Sequence, residues 1–197
     1  MQSNPFFRKW YGIGTILLII MVGIGGITRL TNSGLSMVNW KPLSGVIPPI
    51  TDIDWEEEFN HYKEYPEFKL LNKDISLDGF KKIFFYEYLH RIFGRLIGLY
   101  FFLPFIYLSI RKKINYQESS KILILIALIG MQGLLGWYMV KSGLSNNPHV
   151  SHIRLMFHLL AAMILIIYTY FQYLRYSIHD NIDKPTISKI SSLFIFI

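Results

Sequence analysis

The chain has 197 residues, of which 52% are hydrophobic and 16% aromatic, and it carries a formal net charge of +7. Its apolar residues are gathered into long uncharged runs, at residues 10–27, 96–110 and 122–140, which excludes an ordinary soluble domain. Cysteine is absent, which excludes disulfides and thiolate metal sites. Because the basic residues mostly flank the apolar runs, we interpret them as topology determinants and expect no nucleic-acid partner.

Four segments are predicted to cross the membrane as helices, because a backbone surrounded by lipid must satisfy its own hydrogen bonds. They are residues 10–28, 83–110, 122–140 and 151–174, and a long polar loop at residues 29–82 separates the first two. The sequence therefore predicts an all-α integral membrane protein, with residues 1–175 forming one four-helix bundle. Residues 176–197 are expected to form a cytoplasmic linker that is cut off at the start of a fifth span.

The distribution of charge predicts the orientation of these spans. Residues 111–121 contain four basic side chains against Glu118 alone, whereas residues 52–58 contain five acidic ones. Because basic loops stay on the cytoplasmic side, the N-terminus is predicted to be cytoplasmic and the long loop extracytoplasmic. The second and fourth spans then run in the same direction.

Two histidines are predicted to lie within these two parallel spans. His90 and His158 each fall about seven residues into a predicted span, which places both about 10 Å below the outer surface. Histidine is a common axial ligand of heme iron, and bundle cofactor sites are built from facing helices. We therefore predict a heme held between the two imidazoles. The alternative is that each histidine only forms a hydrogen bond with a neighbouring helix.

The residues around His90 extend this hypothesis. Glu87 precedes His90 by three positions, and Gly94 and Gly98 follow it by four and eight, so all lie on one helix face. Glycines on that face could let a flat macrocycle approach the backbone. The alternative for the glycine pair is close packing between helices.

Three arginines and one amide are further candidates for cofactor binding. Arg91 and Arg154 are expected near the outer edge, where they could meet heme propionates or extend towards lipid headgroups. Arg95 lies deeper in the span and needs a partner, either Glu87 or a propionate. Gln132 in the third span is expected to form a hydrogen bond across helices.

The long loop is rich in aromatic residues, which permits two interpretations. They could form an interfacial belt or a lid over a hydrophobic ligand. The residues concerned are Trp40, Trp55, Phe59, Tyr62 and Tyr65.

Several ordered motifs resemble those of heme A synthases. They are the Gly-Gly-Ile-Thr-Arg-Leu-Thr-Asn-Ser-Gly-Leu-Ser-Met segment at residues 25–37, the Glu-x-x-His-Arg-x-x-Gly-Arg segment at residues 87–95, residues 132–140 and residues 154–159. The similarity covers nearly the whole chain. One branch of the family has a cysteine pair in the outer loop, and this cysteine-free chain resembles the mitochondrial and related bacterial branch instead.

The resemblance implies a function and a role for each motif. Heme A synthases oxidise a methyl group of heme O to a formyl group, giving heme A for cytochrome oxidase, and consist of two similar four-helix bundles. The first bundle is thought to hold the substrate heme and the second a heme b cofactor. By resemblance, His90 and His158 would be the histidine pair of the first bundle, and Glu87 would be the acidic residue near the reacting methyl group.

The resemblance covers the N-terminal half of the family's fold, so a C-terminal-half partner or a second copy of the chain is expected for activity. Heme O, membrane lipid, heme O synthase and cytochrome oxidase assembly factors are the other expected partners. The expected location is the bacterial or mitochondrial inner membrane. Two alternatives remain: a bis-histidine b-type cytochrome that only transfers electrons, and a heme-free scaffold.

Overall fold

The computed structural model describes residues 5–39, 44–145 and 148–182. It contains six α-helices and a short 3-10 turn at Ser44–Val46. The helices are α1 (Pro5–Leu30), α2 (Asp52–Lys63), α3 (Pro66–Leu70), α4 (Leu77–Ile110), α5 (Tyr116–Gly143) and α6 (His152–Ile182). Of these, α1, α4, α5 and α6 are long and apolar enough to cross a membrane, which confirms the predicted multi-pass all-α protein. Trp40 and the predicted fifth span lie outside the described residues.

The spanning helices extend beyond the apolar runs because capping residues, not hydrophobicity, determine where they begin. Ser76 caps α4 by accepting a hydrogen bond from the Gly79 backbone N–H at 3.1 Å, and Asn115 caps α5 through the Glu118 N–H at 2.9 Å. The 34 residues of α4 correspond to about 51 Å, against about 30 Å for a bilayer core. Part of α4 therefore projects from the membrane.

The four spanning helices form a ring in the order α1, α4, α5, α6. Helix α1 packs against α4 and α6, and α5 packs against the same two helices. Neighbours in the ring run in opposite directions. Helices α4 and α6 consequently lie on a diagonal of the bundle and run parallel to each other, as the sequence predicted for the two histidine-bearing spans.

The buried core occupies the inner half of the bundle, the half that contains the N-terminus of α1. It consists of Phe7, Trp10, Tyr11, Leu18, Ile97, Phe101, Leu108, Ile122, Leu125, Leu165 and Tyr176. The outer half differs. At residues 19–27, 88–96, 126–142 and 153–164, every side chain that the structure describes is at least partly exposed. Because a close-packed four-helix bundle buries one face of each helix, these stretches indicate that the bundle is open at this level.

Helix α1 is fastened to α4 around a proline. Pro104 has no backbone N–H, so the carbonyl group of Tyr100, four residues earlier, lacks its usual helical donor. The Trp10 indole Nε1 donates to that carbonyl oxygen at 3.2 Å, and the Tyr100 hydroxyl donates to the Trp10 carbonyl oxygen at 2.8 Å. This reciprocal pair satisfies the free carbonyl group and fixes the spacing of the two helices.

The outer loop folds into a cap over the bundle. Thr51 and Asp54 form a capping box at the start of α2. Phe59 and Tyr62 of α2 are buried against Phe80 of α4, with ring centroids 5.0 and 5.1 Å apart. Two of the loop aromatics therefore form a small core outside the spanning segments.

A buried carboxyl group lies within this cap. Glu67 of α3 is only 6% exposed, and its Oε2 accepts a hydrogen bond from the Tyr62 hydroxyl at 3.0 Å. Asn72 in turn donates to the Tyr62 hydroxyl oxygen at 2.7 Å. Burial, aided by the negative charge of Glu87, raises the pKa of Glu67 to about 7, although the hydrogen bond from Tyr62 opposes this shift.

Candidate functional site

Each of the two membrane histidines lies against a glycine of the preceding spanning helix. A Cβ atom built on Gly25 of α1 would lie 3.1 Å from Cε1 of His90. A Cβ atom built on Gly136 of α5 would lie 3.1 Å from Cε1 of His158. Because glycine has no side chain, Gly25 and Gly136 each leave the space in which an imidazole lies.

The two glycines also define the depth of the rings. Gly25 precedes the end of α1 at Leu30 by five residues, and Gly136 precedes the end of α5 at Gly143 by seven. At about 1.5 Å per residue, the rings lie about 8 and about 10 Å from the outer ends of these helices. The structure thus brings both histidines to one level, in the open half of the bundle.

The chemistry of this pair fits a heme. Nδ1 of His90 and Nδ1 of His158 are enclosed and have no hydrogen-bond partner among the described residues, which costs about 1–3 kcal/mol for each such group. The described part of the chain contains no group of three or more His, Cys, Asp or Glu side chains able to hold a metal ion. Two imidazoles are too few for a bare ion, but they would suffice to hold an iron that a porphyrin already ligates.

Gln132 lies beside the second histidine. Its Nε2 donates to the His158 carbonyl oxygen at 3.0 Å and lies 3.5 Å from the ring Nε2 of His158. The predicted hydrogen bond across helices is thereby confirmed, and it joins α5 to α6 at the level of the histidine. Contact between Gln132 and a cofactor stays a prediction.

Glu87 is buried one helical turn before His90 and is held on both sides of its carboxylate. Its Oε2 accepts hydrogen bonds from the Ser36 hydroxyl and the Met37 backbone N–H, both at 2.8 Å. Its Oε1 forms an ion pair with Arg91, and Nη2 of Arg91 also donates to the Met37 carbonyl oxygen at 2.9 Å. Glu87 and Arg91 together therefore anchor residues 31–39, which we call the strap.

The strap connects several helices across the outer mouth of the bundle. The Ser33 N–H donates to the Thr28 carbonyl oxygen at 3.0 Å, and Asn39 lies 3.0 Å from Nδ1 of His61 in α2. Leu35 packs so closely on Gly143 of α5 that a Cβ atom there would lie 2.7 Å from its methyl carbons. The sequence predicted a polar loop in this region but not these contacts. A buried carboxylate at Glu87 needs hydrogen-bond donors. That requirement is the sequence feature from which contacts between Glu87 and a nearby loop could have been predicted.

A small cleft of about 170 Å³ lies between the strap and the outer end of α5. Two cations line it, Arg91 and Lys141, together with Met37, Val38 and Trp137. The Lys141 ammonium lies 5.1 Å from the centre of the Trp137 ring. Lys141 is not among the sequence-predicted site residues, because a lysine at a helix end is ordinary at a membrane surface.

The remaining predicted residues lie around this site. Arg154 stacks on the Tyr138 ring at 3.8 Å and donates to the Tyr138 carbonyl oxygen at 2.8 Å, so it covers the outer part of α5. A Cβ atom on Gly94 would lie 3.2 Å from Met21 of α1, which shows that this glycine admits a neighbouring side chain. Arg95 is partly buried one turn further into the membrane than Arg91.

Comparison with known proteins identifies a family and several relatives of this chain. Residues 8–197 match the model of the COX15-CtaA family, described as cytochrome oxidase assembly protein. The chain is similar to a heme A synthase of Orientia tsutsugamushi (strain Boryong), with 48% identity over 156 residues, covering 79% of this chain and 44% of the relative. A heme A synthase of Wolbachia pipientis wMel is 43% identical over 188 residues, which cover 95% of this chain and 53% of the relative.

A heme A synthase of Flavobacterium johnsoniae is 48% identical over 170 residues, which cover 85% of this chain and 50% of the relative. No solved structure gives a significant match. The chain spans about half the length of the curated relatives that it matches. With a family model matched over nearly its whole length, the chain belongs to the COX15-CtaA family of cytochrome oxidase assembly proteins.

Proposed function

We propose that this chain forms the substrate-binding bundle of a heme A synthase, which oxidises a methyl group of heme O to a formyl group. The observation that carries the proposal is the histidine pair. His90 and His158 stand on diagonal, parallel helices at one depth, each against a glycine, where the bundle is open. The relatives' own name, heme A synthase, supports the same function.

In this proposal the chain's residues bind and orient the substrate. His90 and His158 would hold the heme iron through their imidazoles, and Gln132 holds the backbone of His158 in place. Arg91 and Lys141 line the cleft at the outer mouth, where two cations suit the two propionates of a heme through charge-assisted hydrogen bonds. The heme iron supplies the redox chemistry when bound.

We assign Glu87 the role of the carboxylate beside the reacting methyl group. It lies on the His90 face of α4, and three hydrogen-bonding groups fix its orientation. A carboxylate in this position can stabilise positive charge that develops on the substrate, or accept the proton that leaves its carbon. Because Glu87 also anchors the strap, loss of activity in a variant could reflect either role.

Two variants separate these roles. Ser36→Ala removes one donor to Oε2 and weakens the strap but keeps the carboxylate, whereas Glu87→Gln removes the charge. If Glu87 takes part in the chemistry, Glu87→Gln should retain the heme spectrum and lose formyl-heme production. Ser36→Ala should keep most of its formyl-heme production. Equal loss in both variants would assign Glu87 to strap anchoring alone.

Heme binding itself is tested by absorption spectroscopy of the purified protein. His90→Ala and His158→Ala should each abolish the bis-histidine spectrum, and His152→Ala, at an exposed position, should leave it unchanged. Absence of heme from the purified wild-type chain would instead favour a scaffold.

Activity is tested by supplying heme O to the chain together with the C-terminal half of a full-length relative. Extraction and chromatography of the hemes should show the formyl product. If the complex binds heme but produces no formyl heme, the alternative of an electron-transferring b-type cytochrome would replace the enzyme.

The proposed location is the bacterial or mitochondrial inner membrane, with the N-terminus cytoplasmic. The four basic side chains of residues 111–121, in the connection after α4 and the first turns of α5, support this orientation. The chain has no cysteine, so single introduced thiols give clean labelling. Glu57→Cys should react with an impermeant maleimide from outside, and Gln117→Cys only after the membrane is opened; the reverse pattern would overturn the orientation.

A heme b cofactor, heme O synthase and oxidase assembly factors are the proposed further partners.

A further inference from the structure

A second cavity lies at the opposite end of the bundle from the histidines. It is a groove of about 790 Å³ between the beginning of α1 and the end of α4. Its lining includes Phe6, Phe7, Leu103, Pro104, Tyr107 and Lys113. Tyr107 lies 17 residues after His90 on α4, a separation of about 25 Å, so this groove is distinct from the proposed heme site.

The floor of the groove consists of buried side chains, and its walls are exposed. Phe7 and Leu108 are 4% and 9% exposed, whereas Leu103 and Tyr107 are 58% and 53% exposed. The Trp10–Tyr100 pair fixes α1 against α4 one turn deeper in the membrane. The cavity is therefore an apolar channel on the lipid-facing surface, and its volume is within the range of about 300–1,000 Å³ typical of ligand pockets.

Positive charge is concentrated at the mouth of the groove. The Lys113 ammonium and the Arg111 guanidinium lie 5.8 and 5.9 Å from the centre of the Tyr107 ring, and Lys112 stands between them in the chain. The acidic residue nearest in sequence, Glu118, is already engaged by Lys121. The mouth therefore has an excess of positive charge at the level where a helix leaves the membrane.

We propose that this groove binds an anionic phospholipid, with one acyl chain along the apolar floor and the phosphate against Lys113 and Arg111. Basic residues beside a membrane attract anionic headgroups, and basic pockets between spanning helices at the cytoplasmic surface bind them specifically. A zwitterionic lipid fills the same channel but gains less from the cations. Charge complementarity thus selects the lipid headgroup, and the apolar channel holds the acyl chain.

The test is native mass spectrometry of the purified chain with phosphatidylglycerol or phosphatidylcholine of identical acyl chains. We expect phosphatidylglycerol to bind more tightly, and Lys113→Gln to reduce this affinity about fivefold, the effect of one interfacial cation. Lys73→Gln removes an exposed lysine of the outer cap and is the matched control.

A second variant tests the channel apart from the charge. Leu103→Trp fills an exposed wall of the groove, so it should weaken lipid binding while every cation and the heme spectrum are retained. Equal binding of both lipids, with no effect of either variant, would show that only ordinary surrounding lipid contacts this surface and would overturn the proposal.

Discussion

The glycines that face the histidines allow the proposed heme site to be tested without changing a ligand. An alanine at position 25 would place its Cβ 3.1 Å from Cε1 of His90, whereas carbon atoms in normal contact lie about 3.5–4.0 Å apart. The ring would have to move by several tenths of an ångström. Overpacking of this kind costs about 1–3 kcal/mol, which corresponds to a loss of about 5-fold to 150-fold in heme affinity.

The matched control is the adjacent glycine. A Cβ atom on Gly26 meets no other atom within 4 Å, so Gly26→Ala makes the same chemical change without touching a histidine. Alanine is also the better helix former, by about 0.5–1 kcal/mol. The two substitutions therefore raise helix propensity by a similar amount, and only Gly25→Ala should lose heme affinity. In α5, Gly136→Ala and Gly133→Ala form an equivalent pair.

Heme titration followed by absorption spectroscopy measures the effect, and thermal unfolding of the heme-free protein measures helix stability. The expected result is weaker binding and a shifted low-spin spectrum for Gly25→Ala and Gly136→Ala alone. If both variants bound heme like the wild type, or if the two controls lost affinity equally, the reasoning about the glycine spaces would be refuted.

Two further predictions concern buried acids away from the histidines. Glu118 accepts a hydrogen bond from the Tyr176 hydroxyl at the inner end of the bundle, so Tyr176→Phe should lower the free energy of unfolding by about 1–3 kcal/mol. Tyr170→Phe, at an exposed tyrosine, should leave the unfolding midpoint unchanged. In the outer cap, burial raises the pKa of Glu67 from 4.5 to about 7, so the folded cap retains a proton that the unfolded chain releases. The stability of the cap should therefore be greatest below about pH 4.5, fall as the pH rises to about 7 and then level off. Proteolysis of the cap across this pH range should show the trend. Glu67→Gln should reduce this pH dependence.

The sequence by itself determined the class of the protein and singled out the residues that we propose carry its chemistry. Long uncharged runs can be stable in only a few ways, because lipid offers no hydrogen bonds to the backbone, so four spanning helices follow directly from composition. The depth of His90 and His158 also follows, since the helical rise converts sequence position into distance. Glu87 was singled out because it lies on the His90 face of its span and matches the acidic position of the family motif.

Only the tertiary structure decided which residues surround these groups. The pairing of Gly25 with His90 and of Gly136 with His158 depends on the order and rotation of helices around the bundle, which helical periodicity alone does not specify. The strap partners of Glu87 lie about fifty positions away in the chain, and the sequence of a loop does not indicate where the loop docks. The groove beside Pro104 likewise arises from the spacing of two helices, so it exists only once α1 and α4 are packed together.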